Sequence, residues 1–453
     1  MENFLKKLLP EYKISIDKIA DKTINKLKEN IDIQELIRSI TEQKQQIINQ
    51  FKMYYEQEAF LEKHISITNA NAKKPYQYTF DTSSFPNIEI IGIANLSNIS
   101  GLEYDYQTFT IKGTPTFATS IELEIIFIIK NNPKEEFIKK IPFIVNADPK
   151  DLWKDIPSDP TTPYHKPDED TFFGNFLDKK IVIASKRGRS HAHEGSTRDD
   201  HFAVKNLSSD WAIIAVADGA GSAKFARQGS KLACEKIVDF FDNTDILEEL
   251  SDLTLKYFEQ KEETIGNDIK KILYKEVKNV YNYLLNFSDN EKIELKDLNT
   301  TLIFALVKKT NDGYIILTFG VGDCPINVIF SENEVQLLNK LDIGEFGGGT
   351  RFITMNEIYN NPNMSQRFGI YKYSDFQKLT LMTDGIYDPK FVVESKLENP
   401  ESWKQFLDDL SGNNEDSIKV DFSDDENVTQ QLLQWINFWS KGNHDDRTLA
   451  IIY

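Results

Sequence analysis

Short acidic motifs that lie directly beside apolar, β-rich runs are the feature that most constrains this chain. The run WAIIAVA leads straight into Asp218, LTLM ends just before Asp384, and LAIIY follows Asp445. Carboxylates at the ends of strands can meet in one small volume even when the strands are far apart in sequence. We therefore expect β-strands whose ends bring these acidic side chains together.

These acidic motifs are candidate metal ligands, because several uncompensated carboxylates in one place repel each other strongly at neutral pH. Such a cluster needs cations, and its oxygen ligands suit the hard divalent ions Mg²⁺ and Mn²⁺. A pair of such ions is well suited to promote the attack of an activated water molecule on a phosphoryl group. The residue types thus point to metal-dependent hydrolysis of phosphate esters.

Seven segments between Ile181 and Tyr453 resemble the metal-dependent protein serine/threonine phosphatases of type 2C, the PPM family. In chain order they are SKRGRSH (185–191), DDHF (199–202), VADGAGS (216–222), NTTL (299–302), GVGD (320–323), LMTDG (381–385) and DDRTL (445–449). A single Asp-Gly pair is usually only a turn. Seven segments in family order, most of them beside a strand-like run, are far more specific.

The resemblance implies a phosphatase that hydrolyses phosphoserine and phosphothreonine through a hydroxide bridging two Mg²⁺ or Mn²⁺ ions. Asp200 and Asp218 would bridge the metals and so act directly in catalysis, and Asp323 would help to hold a third ion. The complete set of metal ligands implied by the resemblance is Asp199, Asp200, Asp218, the backbone carbonyl of Gly219, Asp323, Asp384 and Asp445.

Two residues of the best-known family members are replaced in this chain. Gly195 stands where they carry a phosphate-binding arginine, and Ala220 stands where they carry a histidine. The substitutes available nearby are Arg187, Arg189 and Arg198 for the phosphate, and His191 and His193 for protonation of the leaving group. We take Arg189 and His191 as the catalytic candidates and leave the other three as alternatives.

The overall charge and composition argue against several partners. A formal net charge of −18 over 453 residues argues against nucleic acid or an anionic membrane as the main partner. The chain starts without the apolar run of a signal peptide, and no run approaches the ~20 apolar residues that span a bilayer. We expect a cytoplasmic, bacterial signalling enzyme whose partners are phosphorylated proteins and a cognate serine/threonine kinase.

The chain length suggests two or three domains. Residues 1–62 have helical periodicity and predict a helical hairpin or an arm for self-association. Residues 63–148 alternate like the strands of a β-sandwich, with the first strand expected at Ile65–Thr68, and resemble bacterial immunoglobulin-like modules. Residues 149–170 contain five of the fifteen prolines and predict a linker. Residues 171–453 would then form the phosphatase domain.

For the phosphatase domain we expect an α+β fold. The resemblance implies a four-layer αββα sandwich, in which helices sheathe two antiparallel sheets. The run GEFGGGT (344–350) lacks the Lys-Ser/Thr of a nucleotide-binding loop and predicts a flap at the edge of the cleft. The alternative function is a catalytically weak phosphatase-like scaffold that binds phosphoproteins or assembles a signalling complex.

Overall fold

The computed structural model describes residues 2–342 and 350–453, and the chain divides into two compact units, Met1–Leu152 and Trp153–Tyr453. The loop predicted at Gly344–Thr350 lies outside the described residues, apart from Thr350. Within the described ranges, no helix combines the length and apolar character that crossing a membrane requires.

Three helices begin the first unit: α1 (Glu2–Glu11), α2 (Lys18–Lys28) and α3 (Ile31–Glu62). The side chains of Asp17 and Asn30 cap the N-termini of α2 and α3 by accepting hydrogen bonds from backbone N–H groups. Most apolar side chains of α3 are exposed, but Phe60 near its C-terminus is buried in the core of the strands that follow. The predicted helical segment is therefore observed, and it shares a core with the next part of the chain.

Seven strands complete the first unit: β1 (Ala70–Asn71), β2 (Tyr76–Thr79), β3 (Ile88–Ile93), β4 (Leu102–Asp105), β5 (Thr110–Gly113), β6 (Thr119–Ile129) and β7 (Asn132–Asn146). They form a sheet in the order β1-β7-β6-β3 and a second sheet in the order β2-β5-β4, which share one hydrophobic core. The relationship to immunoglobulin-like modules stays a prediction.

The strand expected at Ile65–Thr68 is absent from the structure, where these residues form an irregular segment after α3. The backbone carbonyls of Ser66 and Thr68 accept hydrogen bonds from the hydroxyl groups of Tyr78 and Tyr76, at 3.3 and 2.7 Å. Side chains therefore satisfy backbone groups that a neighbouring strand would otherwise pair with, and the prediction of a strand here is wrong.

Most of the proline-rich segment predicted as a linker packs within the second unit. The backbone N–H of Ile156 donates to Ala192 at 2.9 Å, and Lys166 is buried. The side chain of Arg187 pairs with Asp155 and with Asp168. The residues between the prolines therefore have partners in the fold.

Eleven strands of the second unit form two sheets that are antiparallel throughout. Sheet I has the order β10-β11-β12-β13-β16, and sheet II has the order β15-β14-β17-β18-β9-β8. The strands are β8 (Glu169–Phe176), β9 (Lys179–Lys186), β10 (His201–Asn206), β11 (Trp211–Ala217), β12 (Leu302–Thr310), β13 (Gly313–Val321), β14 (Ile326–Ser331), β15 (Glu334–Leu337), β16 (Phe368–Tyr373), β17 (Lys378–Met382) and β18 (Arg447–Ile452).

Helices cover the outer face of each sheet and give three separate cores. Trp211 of sheet I packs with helices α5 to α7, Ile183 of sheet II packs with Val216 between the sheets, and Met382 of sheet II packs with α9 to α11. The helices are α4 (Arg189–Glu194), α5 (Ala226–Phe241), α6 (Thr244–Gln260), α7 (Glu263–Glu291), α8 (Asn356–Tyr359), α9 (Asp384–Phe391), α10 (Pro400–Leu410) and α11 (Val428–Trp435). The predicted α+β class is confirmed, with two sheets between two helical layers.

Candidate metal centre

Three acidic side chains of the second unit converge at the rim of the two sheets. Asp218, Asp323 and Asp384 each offer a carboxylate oxygen, and these atoms all lie within 4.8 Å of one another. Asp218 directly follows β11 and Asp323 lies two residues after β13, both in sheet I, whereas Asp384 follows β17 of sheet II. The strand ends therefore bring together carboxylates from both sheets. The apolar runs predicted this for Asp218 and Asp384, whereas Asp323 was expected only from the resemblance.

Asp200, which directly precedes β10, joins sheet I to sheet II. Its Oδ2 accepts hydrogen bonds from Thr383 Oγ1 at 2.8 Å and from Thr448 Oγ1 at 2.7 Å, and both threonines belong to the sheet II side. Its Oδ1 is buried and has no hydrogen-bond partner within the described part of the chain. The two threonines thus hold one carboxylate oxygen and leave the other available.

Backbone contacts fix the positions of Asp218 and Gly219. Thr301 Oγ1 accepts a hydrogen bond from the Asp218 N–H at 2.8 Å, and Thr300 Oγ1 donates to the Asp218 carbonyl at 2.8 Å. A Cβ at Gly219 would lie 2.8 Å from the carbonyl oxygen of Asp199. Only glycine fits this close approach, which brings the segments of Asp199 and Asp218 together.

The electrostatic environment of the acidic side chains favours binding of a cation. Burial and the neighbouring carboxylates raise the pKa of Asp218 and of Asp384 well above the ordinary value. Burial and the charge of Asp446 raise the pKa of Asp199 to about 6 and that of Asp200 to about 7. Four of these acidic residues each have a buried carboxylate oxygen without a hydrogen-bond partner in the described part of the chain: Asp199 Oδ1, Asp200 Oδ1, Asp323 Oδ1 and Asp384 Oδ1. Such oxygens fit a hard divalent ion, which would supply the missing partner.

Asp445 lies outside the group of three carboxylates within 4.8 Å that the described residues form. It is exposed, and its Oδ1 accepts a hydrogen bond from the N–H of Asp446 at 2.8 Å. Its charge nevertheless helps to raise the pKa of Asp218 and of Asp384. Asp445 therefore stands close enough to the cluster to act on it electrostatically.

His191 on α4 lies between two carboxylates. Its Nδ1 is 3.0 Å from Asp446 Oδ1, and its Nε2 is 3.8 Å from Asp199 Oδ2. Burial alone would lower the pKa of His191, but Asp446, Asp199 and Asp445 outweigh it and raise the pKa to about 10. The surrounding carboxylates therefore favour the protonated form of His191, whose Nδ1 contacts Asp446 and whose Nε2 is directed toward Asp199.

Asp446 is a site residue that the sequence reasoning missed. It is buried, and besides His191 it accepts hydrogen bonds from the backbone N–H groups of Gly188 and Asp199. A Cβ at Gly188 would lie 2.3 Å from the backbone of Asp445, so glycine is required there. The motif DDRT indicated an acidic site residue here. The sequence alone does not show which of the two adjacent aspartates contacts His191.

The three candidate arginines have different surroundings. Arg187 is buried and pairs through Nη2 with Asp155 at 3.0 Å and with Asp168 at 3.2 Å. Arg198 is fully buried, and its Nε donates to the Pro167 carbonyl at 3.3 Å. These two arginines hold the proline-rich segment in place.

Arg189 differs from them because it is only half-buried. Its Nη2 donates to the carbonyl of Asn437 at 2.8 Å, and the guanidinium carbon lies 5.3 Å from the centre of the Trp439 ring. The alternative histidine, His193, accepts a hydrogen bond from the backbone of Lys154 at 3.1 Å and so holds the same proline-rich segment. The catalytic roles of Arg189 and His191 stay predictions.

Lys166 is a second residue that the sequence reasoning missed. Its buried Nζ donates to the carbonyls of Asp199 and Asp200, at 3.1 and 2.7 Å, and to Ser230 Oγ at 3.1 Å. Burial and the charge of Arg198 lower the pKa of Lys166 to about 7. A lysine among prolines looks like part of a solvated linker, so the sequence carried no signal for this role.

Asp342 and Arg367 support the turn that carries Asp323. Arg367 makes two hydrogen bonds to the Asp342 carboxylate, at 2.6 and 2.8 Å, and Asp342 Oδ2 accepts the Gly322 N–H at 3.0 Å. Gly322 has a φ of +103°, which favours glycine. This two-pronged ion pair was also not foreseen, because its partners lie far apart in sequence.

Among the solved structures that match this chain are bacterial phosphatases of low sequence identity. A bacterial serine phosphatase is 12% identical with a TM-score of 0.39, and the match covers 61% of this chain and 97% of that chain. The serine/threonine phosphatase of S. agalactiae is 13% identical with a TM-score of 0.39, covering 61% and 99%. The serine/threonine phosphatase of Staphylococcus aureus is 12% identical with a TM-score of 0.36, covering 62% and 95%.

Comparison with curated protein sequences gives no match. The sequence profile described as protein phosphatase 2C, in contrast, matches residues 187–437, more than half of the 453 residues. The matched range includes His191, Asp200, Asp218, Asp323 and Asp384, whereas Lys166, Asp445 and Asp446 lie outside it. The chain belongs to the protein phosphatase 2C family.

Proposed function

We propose that this protein is an Mg²⁺- or Mn²⁺-dependent phosphatase that hydrolyses phosphoserine and phosphothreonine in proteins. The observation that carries the proposal is the convergence of Asp218, Asp323 and Asp384 within 4.8 Å in a member of the protein phosphatase 2C family. The unpartnered oxygens of Asp323 and Asp384 and the raised pKa values of Asp218 and Asp384 suit a site for a divalent cation.

The ions would be held by the side chains of both sheets. When bound, they would lower the pKa of a coordinated water molecule and screen the negative charge of the phosphate. The proposed ligands are Asp199, Asp200, Asp218, the carbonyl of Gly219, Asp323, Asp384 and Asp445. Asp323 supports this set because it lies beside Asp218 and Asp384, although the resemblance gave it only a part in holding a third ion.

The protein's own side chains would position the phosphate and move the proton. Thr383 and Thr448 fix the carboxylate of Asp200, so that its free oxygen keeps one direction. His191 carries a proton on Nε2 and would donate it to the serine or threonine oxygen as that oxygen leaves. Arg189 would exchange its hydrogen bond to Asn437 for one to a phosphate oxygen, a stronger charge-assisted bond.

The biological setting proposed is a bacterial cytoplasm, with a cognate serine/threonine kinase that supplies phosphoproteins. The net charge of −18 supports a protein substrate rather than nucleic acid or an anionic membrane. The exposed apolar residues of α3, such as Ile47 and Phe51, support a role for the first unit in self-association.

Phosphate release by the purified full-length protein tests this function. Phosphoserine and phosphothreonine peptides and p-nitrophenyl phosphate should be hydrolysed with Mn²⁺ or Mg²⁺ present, and hydrolysis should stop on addition of a chelator. Asp218→Asn should reduce kcat by orders of magnitude while the protein stays folded. Phosphopeptide binding without hydrolysis would favour the scaffold function instead, and undiminished activity in the chelator would exclude the metal-dependent mechanism.

A further inference from the structure

A groove of about 520 Å³ lies between the end of α9 and the loop at residues 438–443. On one side it is lined by Asp388, Lys390 and Val392. On the other side it is lined by Phe438, Trp439, Ser440, Lys441 and Asn443. We refer to it as the α9 groove.

Each wall of the α9 groove contains a residue that lies close in the chain to a candidate metal ligand. Asp388 stands one helical turn after Asp384 on α9, so the two side chains lie on the same face of the helix. Burial raises the pKa of Asp388, and the charges of Asp323 and Asp445 add to this effect. The opposite wall ends at Asn443, two residues before Asp445. A polypeptide bound at the metal centre would therefore continue into this groove.

The loop wall is held in a defined conformation by Arg447. Its Nη1 donates to the carbonyls of Ile436 and Phe438, and its Nη2 donates to Ser440 Oγ at 3.2 Å. The guanidinium carbon also lies 3.8 Å from the centre of the Phe438 ring. A surface that is already ordered before binding loses less conformational entropy when a ligand binds.

The helix wall contains backbone strain at an exposed position. Val392, which ends α9, has a φ of +69° and is 65% exposed. A β-branched residue is disfavoured at positive φ, and burial of this side chain does not compensate the strain. Strain of this kind concentrates at ligand-binding sites, where an unusual side-chain direction is useful.

The groove also presents a cation and aromatic surface. Lys441 is exposed, and no carboxylate of the described residues lies within ion-pair distance of it. Trp439 is half-buried, with its ring between Arg189 and His444, at 5.3 and 5.0 Å. An apolar or aromatic side chain would pack on Trp439 and Val392, and an acidic side chain would pair with Lys441.

We propose that the α9 groove binds the residues flanking the phosphorylated residue of a protein substrate, and that it selects an apolar or aromatic residue together with an acidic one. This inference rests on the proposed phosphatase function and adds a substrate class to it. The groove then decides which phosphoproteins reach the acidic cluster in a productive position.

The test uses the full-length protein with Mn²⁺ and a set of phosphoserine peptides of equal length. One pair of peptides carries Phe-Glu before or after the phosphoserine, and matched peptides carry Ala-Ala or Phe-Lys at the same places. On one side of the phosphoserine, the peptide with Phe-Glu should have a kcat/KM at least about tenfold higher than the peptide with Ala-Ala at the same positions. Lys441→Glu should invert the preference between Phe-Glu and Phe-Lys.

Lys404→Glu provides the matched control, because Lys404 is an exposed lysine of α10 outside the groove. It should keep the preference of the natural protein. Equal kcat/KM for all peptides, or equal effects of the two lysine substitutions, would overturn the proposal.

A binding measurement separates failure of the groove from failure of the proposed activity. The same peptides, labelled with a fluorophore, are titrated with the protein and followed by anisotropy. Selective binding of the Phe-Glu peptide without phosphate release would uphold the groove and refute the phosphatase function. Hydrolysis of p-nitrophenyl phosphate with unselective peptide binding would refute the groove alone.

Discussion

His191 Nδ1 lies 3.0 Å from Asp446 Oδ1, and the other oxygen of that carboxylate accepts the backbone N–H of Asp199. One buried acidic residue therefore orients both the candidate proton donor and the backbone of a candidate metal ligand. Asp446→Asn should lower kcat about 10- to 100-fold, the usual effect of losing a group that orients a ligand.

The pH dependence distinguishes this role of Asp446 from a merely structural one. Without the carboxylate, the pKa of His191 should fall from about 10 toward its ordinary value. The alkaline limb of the kcat profile should therefore move to lower pH, which steady-state rates between about pH 6 and about pH 10 would detect. Asp408→Asn, at an exposed position on α10, is the control. A profile that keeps its alkaline limb would contradict the assignment of His191.

Lys166→Met should weaken Mn²⁺ binding, because the carbonyls of Asp199 and Asp200 lose the donor that holds them. We expect a Kd for Mn²⁺ about 10- to 100-fold higher, measured by calorimetry. The unfolding free energy should fall by about 1–3 kcal/mol as well, because buried acceptors lose their partner.

Lys139→Met is the control that separates the loss of Mn²⁺ affinity from the loss of stability. Lys139 is buried in the first unit, where its Nζ donates to the Leu61 carbonyl at 2.6 Å. It should cost stability without changing Mn²⁺ affinity. A fragment starting at Asp168, which lacks Lys166, should likewise bind Mn²⁺ more weakly than one starting at Trp153. Equal affinity of the two fragments would show that Lys166 is not needed for the metal centre.

Arg189→Ala and Arg187→Ala should have different effects. Arg189→Ala should raise the KM for phosphate monoesters about 10- to 100-fold, consistent with about 1.5–3 kcal/mol for a charge-assisted hydrogen bond. Arg187→Ala should instead lower the melting temperature, since Arg187 is buried and pairs with Asp155 and Asp168. Steady-state kinetics and thermal unfolding of both variants check the prediction. A normal KM in the Arg189→Ala variant would show that another residue binds the phosphate.

The stability of the metal-free protein should fall as the pH rises. Burial and mutual repulsion raise the pKa of Asp218 and of Asp384, and burial with the charge of Asp446 raises that of Asp200 to about 7. The unfolded chain, with carboxyl pKa values of about 4, thus binds fewer protons than the folded state between about pH 4 and about pH 7. These carboxyl groups therefore contribute a decrease in the unfolding free energy with rising pH over this range.

Thermal unfolding in a chelator between about pH 5.5 and about pH 8.5 measures this dependence. The decrease in melting temperature should be shallower in Asp218→Asn, which removes one of the repelling charges. Added Mn²⁺ should raise the melting temperature of the natural protein most at the alkaline end. A melting temperature in chelator that rises with pH would contradict the electrostatic description of the site.

The sequence predicted those parts of the site where an apolar strand ends in an acidic residue. Asp218 and Asp384 were predicted in this way, because strand ends in an antiparallel sandwich lie at one of two rims. The turn at Asn311–Gly313 is also a local feature, since Gly313 adopts a φ of +137° between β12 and β13. Such features depend on a few neighbouring residues and need no knowledge of the packing.

Other parts depend on contacts between distant segments, and the sequence carried no trace of them. Lys166 meets Asp200 only because the proline-rich segment folds back onto the second unit. The irregular path of Ile65–Thr68 depends on the hydroxyl groups of Tyr76 and Tyr78. Local periodicity predicts neither kind of contact, because the sequence around each partner has no unusual feature.

The candidate ligands come from both sheets, and this affects how readily the protein is degraded in a cell. Without cations, repulsion among Asp218, Asp323 and Asp384 acts to open the rim at which the sheets meet. Proteases cleave the open forms of a protein, and their population grows as the fold loosens. Divalent ions would therefore protect the chain from degradation as well as activate it. The amount of this protein in a cell would then follow the supply of metal, through turnover rather than through synthesis.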